Sequence, residues 1–178
     1  MQREDTGHLL LELARRSVVA RVTGGRVAVS PASPFPPASG VFVTVKVGGH
    51  LRGCLGTLEC RNLATDVARC AADAASDDPR FPPLSTTELP ALSVEVSLLG
   101  PLERIDPHDP DAIAIGRHGL VVEQGRQRGL LLPQVASERA WTADEFLSQT
   151  CVKAGLPSDA WRHGAAVYRF SADVFREA

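Results

Sequence analysis

At 178 residues the chain is long enough to bury a proper core within one domain. Hydrophobic residues at 44% and charged residues at 22% are ordinary globular values, and a formal net charge of -2 offers no basis for nucleic acid or an anionic membrane as the main partner. No apolar run approaches the length needed to span a bilayer, and the acid-bearing start Met1-Gln2-Arg3-Glu4-Asp5 has no signal-peptide core, so a soluble cytoplasmic protein is expected.

In chain order, Thr6 to Thr23 places Leu9, Leu10, Leu13, Ser17 and Ala20 on one face, which predicts an amphipathic helix stopped at Gly24-Gly25. The proline-rich stretch Pro31 to Ser39 cannot be regular structure and reads as a surface connector. Val41 to Val47 is β-branched and alternates at period two; Gly48-Gly49 is a hairpin turn, and Leu51 onward is the return strand. Asn62 caps a helix that carries Leu63, Val67, Cys70, Ala71 and Ala74 on one face and ends before Asp77. Asp78 to Leu84 must be extended because of its prolines. Leu92 to Leu98 alternates as a strand, and Asp106 to Ile115 reads as a short helix with a proline in its first turn. Gly119 to Glu123 and Gly129 to Leu132 flank a Gln124-Gly125-Arg126 turn and predict a second hairpin. Thr142 and Glu145 form a capping box for a helix running to Ala154 that Gly155 terminates, and Ala166 to Phe170 reads as a last strand. Strands and helices mix without strict alternation, so the class is α+β, a mixed or antiparallel sheet packed with helices.

Four cysteines (54, 60, 70 and 151) form no Cys-x-x-Cys pair, and the five histidines offer no ligand set at usual spacing, so neither metal nor cofactor is predicted. Nucleotide-binding glycine motifs, Gly-x-Ser-x-Gly and His-Glu-x-x-His are missing. The chemistry therefore centres on the first hairpin. An unbroken two-residue hairpin pairs Val47 with His50, Val45 with Arg52 and Val43 with Cys54, and projects Arg52 and Cys54 from one valine-lined face about 7 Å apart. Arg52 cannot be buried there without a partner. Gly53 and Gly56 leave the backbone around Cys54 open to close approach. A cysteine beside such a charge is either a thiolate nucleophile or a small apolar residue in a sheet. Glu95 stands alone as an acid in an apolar strand; it reads as a solvated residue or as the ion-pair partner of Arg52. His118, at a strand entry, is a candidate general acid or base. Asp78, Arg80 and Phe81 lie in the stiff proline loop, which reads either as a pocket wall or as a strap over the sheet.

The segments Gly40 to Lys46 and Leu51-Arg52-Gly53-Cys54-Leu55-Gly56-Thr57 closely resemble the AMMECR domain, also called AmmeMemoRadiSam system protein A, with Leu55 in place of the family's isoleucine. Further matches follow in order at Asp78 to Leu84, Gly116 to Gly119 (with Arg117 for an expected lysine), Gly129 to Ala136, Trp141, Glu145 to Leu147, Cys151 to Leu156 and Trp161. The resemblance spans nearly the whole chain and implies a single AMMECR domain over 1–178, built of a larger and a smaller subdomain with a cleft between them. It implies companions as well: a Memo-like protein and a radical S-adenosylmethionine enzyme. It carries over Arg52, Gly53, Cys54, Gly56, Asp78, Arg80, His118 and Gln134 as motif positions, and supplies no settled reaction. Two functions are expected on this footing. One is an enzyme in which Cys54 attacks an electrophile, Arg52 holds an anionic group, and His118 or Glu95 moves protons. The other is a non-catalytic binding or adaptor module for a Memo-like partner or a small ligand.

Overall fold

The computed structural model describes residues 2–30, 32 and 34–178. Its contacts divide the chain into two compact units: residues up to Leu99 together with Asp173–Ala178, and Gly100–Ala172. Both are built on antiparallel strands with helices packed against them, so the chain is α+β.

The first unit opens with α1 (Arg3–Val22). It starts three residues before the sequence pattern suggested, because Thr6 bonds back to the Gln2 carbonyl and Glu4 and Asp5 suit the first turn. Its buried face is also rotated from the expected one: Leu10, Ala14, Ser17 and Val18 are buried, while Leu9 is exposed. Pro31 and Ser33 of the expected connector lie outside the described residues; from Pro34 to Ser39 the chain has no helix or strand. The strands β1 (Gly40–Val47) and β2 (His50–Thr57) follow, joined by Gly48 and Gly49, both at positive φ as a tight hairpin turn requires. Then α2 (Leu63–Ser76) starts at Asn62, whose side chain accepts the Thr65 N–H. The strand β3 (Leu92–Leu99) pairs with the other side of β1, which gives the order β2-β1-β3 and leaves β2 at an edge. Val41, Val43, Val45, Val94 and Val96 share one face of this sheet and pack with Leu10, Val18, Val67 and Ala74 in the core.

The second unit contains the short β4 (Glu103–Arg104), β5 (His118–Gln124), β6 (Gln127–Leu131), α3 (Pro133–Glu138), α4 (Ala143–Lys153) and most of β7 (Ala166–Arg176), whose last residues return to the first unit. The second hairpin keeps one register from Leu120↔Leu131 to Gln124↔Gln127. The Thr142–Glu145 capping box is formed, and Gly155 sits at φ 76° beyond the helix. The helix expected over Asp106 to Ile115 does not form. Pro107 and Pro110 remove two amide donors, while the side chains of Asp106 and Asp109 capture the N–H groups of His108 and Asp111, so the segment is a run of turns. The helix α3 was not anticipated; Pro133 occupies its first position.

Candidate functional site

The first hairpin departs from the regular pairing at one point. Val47↔His50 and Lys46↔Leu51 pair as expected, then a β-bulge intervenes, and pairing resumes at Val45↔Gly53, Thr44↔Cys54 and Val43↔Leu55. Arg52 is the extra residue. The expected pairing of Cys54 with Val43 is therefore wrong by one residue, and a one-residue slip moves a side chain to the opposite face. Cys54 does not project with the core valines; it lies with Thr44, whose hydroxyl donates to Cys54 Sγ at 3.3 Å. Gly53 takes the core side, where an added Cβ would meet the Ala74 carbonyl oxygen of α2 at 1.9 Å. Gly56 makes room for Phe42, whose ring would lie 2.4 Å from a Cβ at that position.

Thr44 also pairs with Glu95 on β3, so Cys54, Thr44 and Glu95 form one row across three strands. Glu95 stands two strand spacings from Cys54, about 10 Å. It is buried rather than solvated, and it is not the partner of Arg52, because β1 separates their strands. Lys46, one position along on the same face, forms an ion pair with Glu95, and Arg176 lies 3.4 Å from its other oxygen.

The segment after α2 is a strap across the free edge of β2. Asp78 is its first anchor: with a side chain only 2% exposed, it accepts from the Cys54 N–H at 2.9 Å through Oδ2. The same carboxylate takes Arg80 in a two-point pair, Nε to Oδ1 at 3.0 Å and Nη2 to Oδ2 at 2.7 Å, and also accepts the Arg80 N–H. The Arg80 guanidinium, with the Cys54 amide in support, outweighs the cost of burial and holds the Asp78 carboxyl at about 2. The second anchor is Arg52, whose Nε and Nη2 bond Glu88 at 2.7 and 3.2 Å while Nη1 and Nη2 reach the Pro82 carbonyl at 3.3 Å. Glu88 accepts from the backbone of Ser85 as well, in a capping box that opens a 3-10 turn over Thr86–Ala91; Arg52 first and Ser85 second hold its carboxyl at about 2. The Phe81 ring lies within cation–π range of both guanidinium groups, 5.3 Å from Arg80 and 5.8 Å from Arg52.

The first unit thus brings Arg52, Gly53, Cys54, Gly56, Asp78, Arg80 and Phe81 together, with Glu95 further along the same sheet. His118 and Gln134 belong to the second unit. The Nδ1 of His118 accepts the Ala114 N–H at 3.0 Å; burial, then the charges of Arg169 and Arg117, lower its pKa and favour the neutral ring. Nδ1 is thereby committed as an acceptor, so a proton on this ring resides on Nε2. Gln134 has a buried Oε1 without a hydrogen-bond partner among the described residues. No group of three or more His, Cys, Asp or Glu side chains among the described residues is arranged to hold a metal ion. Among those residues, too, no helix is long and apolar enough to cross a membrane.

Thr44, Lys46 and Glu88 escaped the sequence reading. Ser85-x-x-Glu88 is a capping-box pattern and was available as a signal. Thr44 and Lys46 could be placed only with the true register in hand.

The AMMECR1 family model matches residues 11–175. A protein of Thermofilum pendens is 45% identical over 97% of this chain and 90% of its own length, and one of Methanosarcina acetivorans is 43% identical over 99% and 94%. The crystal structure of an uncharacterised protein from Pyrococcus horikoshii superposes with a TM-score of 0.86 at 42% identity, covering 97% of this chain and 92% of that one. Sequence and fold agree along nearly the whole length, and the chain belongs to the AMMECR1 family.

Proposed function

We propose that the chain is a small cysteine-dependent enzyme of the AmmeMemoRadiSam system, cytoplasmic and working as one AMMECR domain over 1–178, with Cys54 as its nucleophile. The observation that carries this reading is the way Cys54 is held: its sulfur accepts from the Thr44 hydroxyl, and its amide is fixed by an ionised, buried Asp78 that is itself fixed by Arg80. The attacking form of a cysteine is the thiolate, and its sulfur is an acceptor for the Thr44 hydroxyl. Arg52, with its donors committed to Glu88 and Pro82, acts by holding the strap against β2. Of the expected proton carriers, Glu95 stands on the row with Cys54 and Thr44, and His118 belongs to the second unit. A Memo-like protein and a radical S-adenosylmethionine enzyme are the expected companions.

A second reading is favoured by one feature. Beyond their ion pairs the strap residues Arg80, Pro82 and Pro83 are exposed, a stiff surface suited to binding a Memo-like partner or a small ligand without catalysis. The rate of alkylation of each cysteine against pH, mapped on peptides from the folded protein, separates the two. Selective reaction of Cys54 with an apparent pKa below the free-thiol value of about 8.5 is expected of the enzyme. A Cys54 that stays silent until unfolding removes the nucleophile and leaves the binding module.

A further inference from the structure

The two guanidinium groups that fasten the strap, Arg52 from β2 and Arg80 from the strap itself, are each held by a carboxylate and end differently. A guanidinium has a side edge, Nε with Nη2, and an end edge, Nη1 with Nη2; each can receive two oxygens. Arg52 gives its side edge to Glu88 and its end edge to the Pro82 carbonyl, so both are used, and its side chain is 16% exposed. Arg80 gives its side edge to Asp78, but Nη1 has no partner among the described residues and the side chain is 45% exposed. Arg80 is nevertheless not a loose surface cation. Its orientation is set by a buried carboxylate and by its own backbone N–H on the same oxygen that Nε meets. Asp78 Oδ2 receives both Arg80 Nη2 and the Cys54 amide, so one oxygen ties the open guanidinium to the backbone of the thiol.

Resting on the nucleophile reading of Cys54, we infer that the end edge of Arg80 is the anion-recognition element beside the thiol, and that the electrophile the site takes carries a carboxylate. The donors available select this class. Glu88 offsets the Arg52 charge and Asp78 that of Arg80, so what is left is one end edge with two parallel N–H donors and no surplus cation; a planar monoanion with two oxygens is matched, while a phosphate dianion is under-compensated. The carboxylate docks end-on at Nη1 and Nη2 over the strap, with its electrophilic carbon turned toward Cys54 Sγ. Phe81 and the Asp78 pair hold the guanidinium in place before the ligand arrives.

Two alkylating agents of similar size and different charge test this on the intact chain: iodoacetate and iodoacetamide. In each case the thiolate sulfur attacks the methylene carbon, the C–S bond forms, and iodide leaves with the C–I electron pair. The Cys54 rate ratio, iodoacetate over iodoacetamide, is compared with that of glutathione under the same salt and pH. It is expected to be about tenfold above the glutathione ratio. Arg80→Gln should bring it down to the glutathione value, and Arg80→Lys should leave it in between. A change of access or of folding in a variant alters both reagents together and cancels in the ratio. Acetate should slow iodoacetate labelling of the unmodified chain. The inference is overturned by a native ratio equal to that of glutathione, by an enhancement that survives Arg80→Gln, or by protection from inorganic phosphate with none from acetate. If neither reagent labels Cys54 in the folded protein, the nucleophile reading fails and this inference with it; labelling by both at the glutathione ratio overturns the carboxylate site alone.

Discussion

The two hairpins use the same packing device and differ by one residue. In each, the return strand places a glycine beneath the C-terminal end of the helix that crosses it: Gly53 under Ala74 of α2, and Gly129 under Ala154 at the end of α4. In each, that glycine pairs with a core valine, Val45 or Val122. The second hairpin then runs on in unbroken register. The first inserts Arg52 immediately before its glycine. That single extra residue frees a charged side chain from the pleat, lets it grip the strap through Glu88, and leaves Cys54 on the polar side of the sheet beside Thr44. A regular hairpin makes a core; the bulged one makes a core on one face and a candidate site on the other.

The largest effect is expected where the helix meets the strand. Gly53→Ala sets a Cβ 1.9 Å from a backbone oxygen, which no rotamer can relieve, and should cost roughly 3–4 kcal/mol in chemical denaturation. Gly129→Ala, whose nearest backbone atom is at 2.4 Å, should cost less. Equal losses would mean that the bulged hairpin yields as easily as the regular one. Next comes Asp78→Asn, which leaves Arg80 without its counter-charge and should cost about 2 kcal/mol at neutral pH. Because Arg80 holds the Asp78 carboxyl at about 2, below its unfolded value, this stability is complete above the unfolded range and is lost as pH falls from about 4 towards 2. Stability measured across that window should fall less steeply in the variant; an unchanged slope would show that Asp78 is not ionised as described. The smallest effect belongs to the bulge residue itself. Arg52→Met keeps the side-chain length but frees Glu88, at about 1 kcal/mol, and should speed proteolysis within the strap several-fold while the second hairpin stays protected. Uniform protection of the strap would remove Arg52 as its anchor.

What the sequence disclosed follows the same contrast. Both hairpins were visible because glycine turns and period-two valines are local signals, and α2 and α4 announced themselves by Asn62 and the Thr142–Glu145 box. The bulge had no such signal. Val41 to Val47 alternates through it undisturbed, and Arg52 has the same neighbours in sequence whether it is paired or extruded, so the choice falls to a contact between Gly53 and a helix some twenty residues on. Assuming a regular register puts Cys54 among the valines, and taking the Arg52 and Glu95 strands as neighbours offers Glu95 to Arg52, where β1 in fact lies between them. The true register gives Cys54 to Thr44, Glu95 to Lys46 and Arg52 to Glu88. The expected helix at Asp106 failed for a related reason: aspartates that suit a cap also suit an Asx turn, and two prolines decide for the turn.

The bond from the Cys54 amide to Asp78 has a consequence for association. β2 is an edge strand, and an edge with outward N–H groups invites the strand of another molecule. Asp78 fills one of those donors with a buried, charged acceptor, and the prolines that follow carry no amide to offer in return. The loop beside the thiol thus also guards the sheet: a chain whose strap is released lays the outer edge of β2 open to the strand of a second molecule.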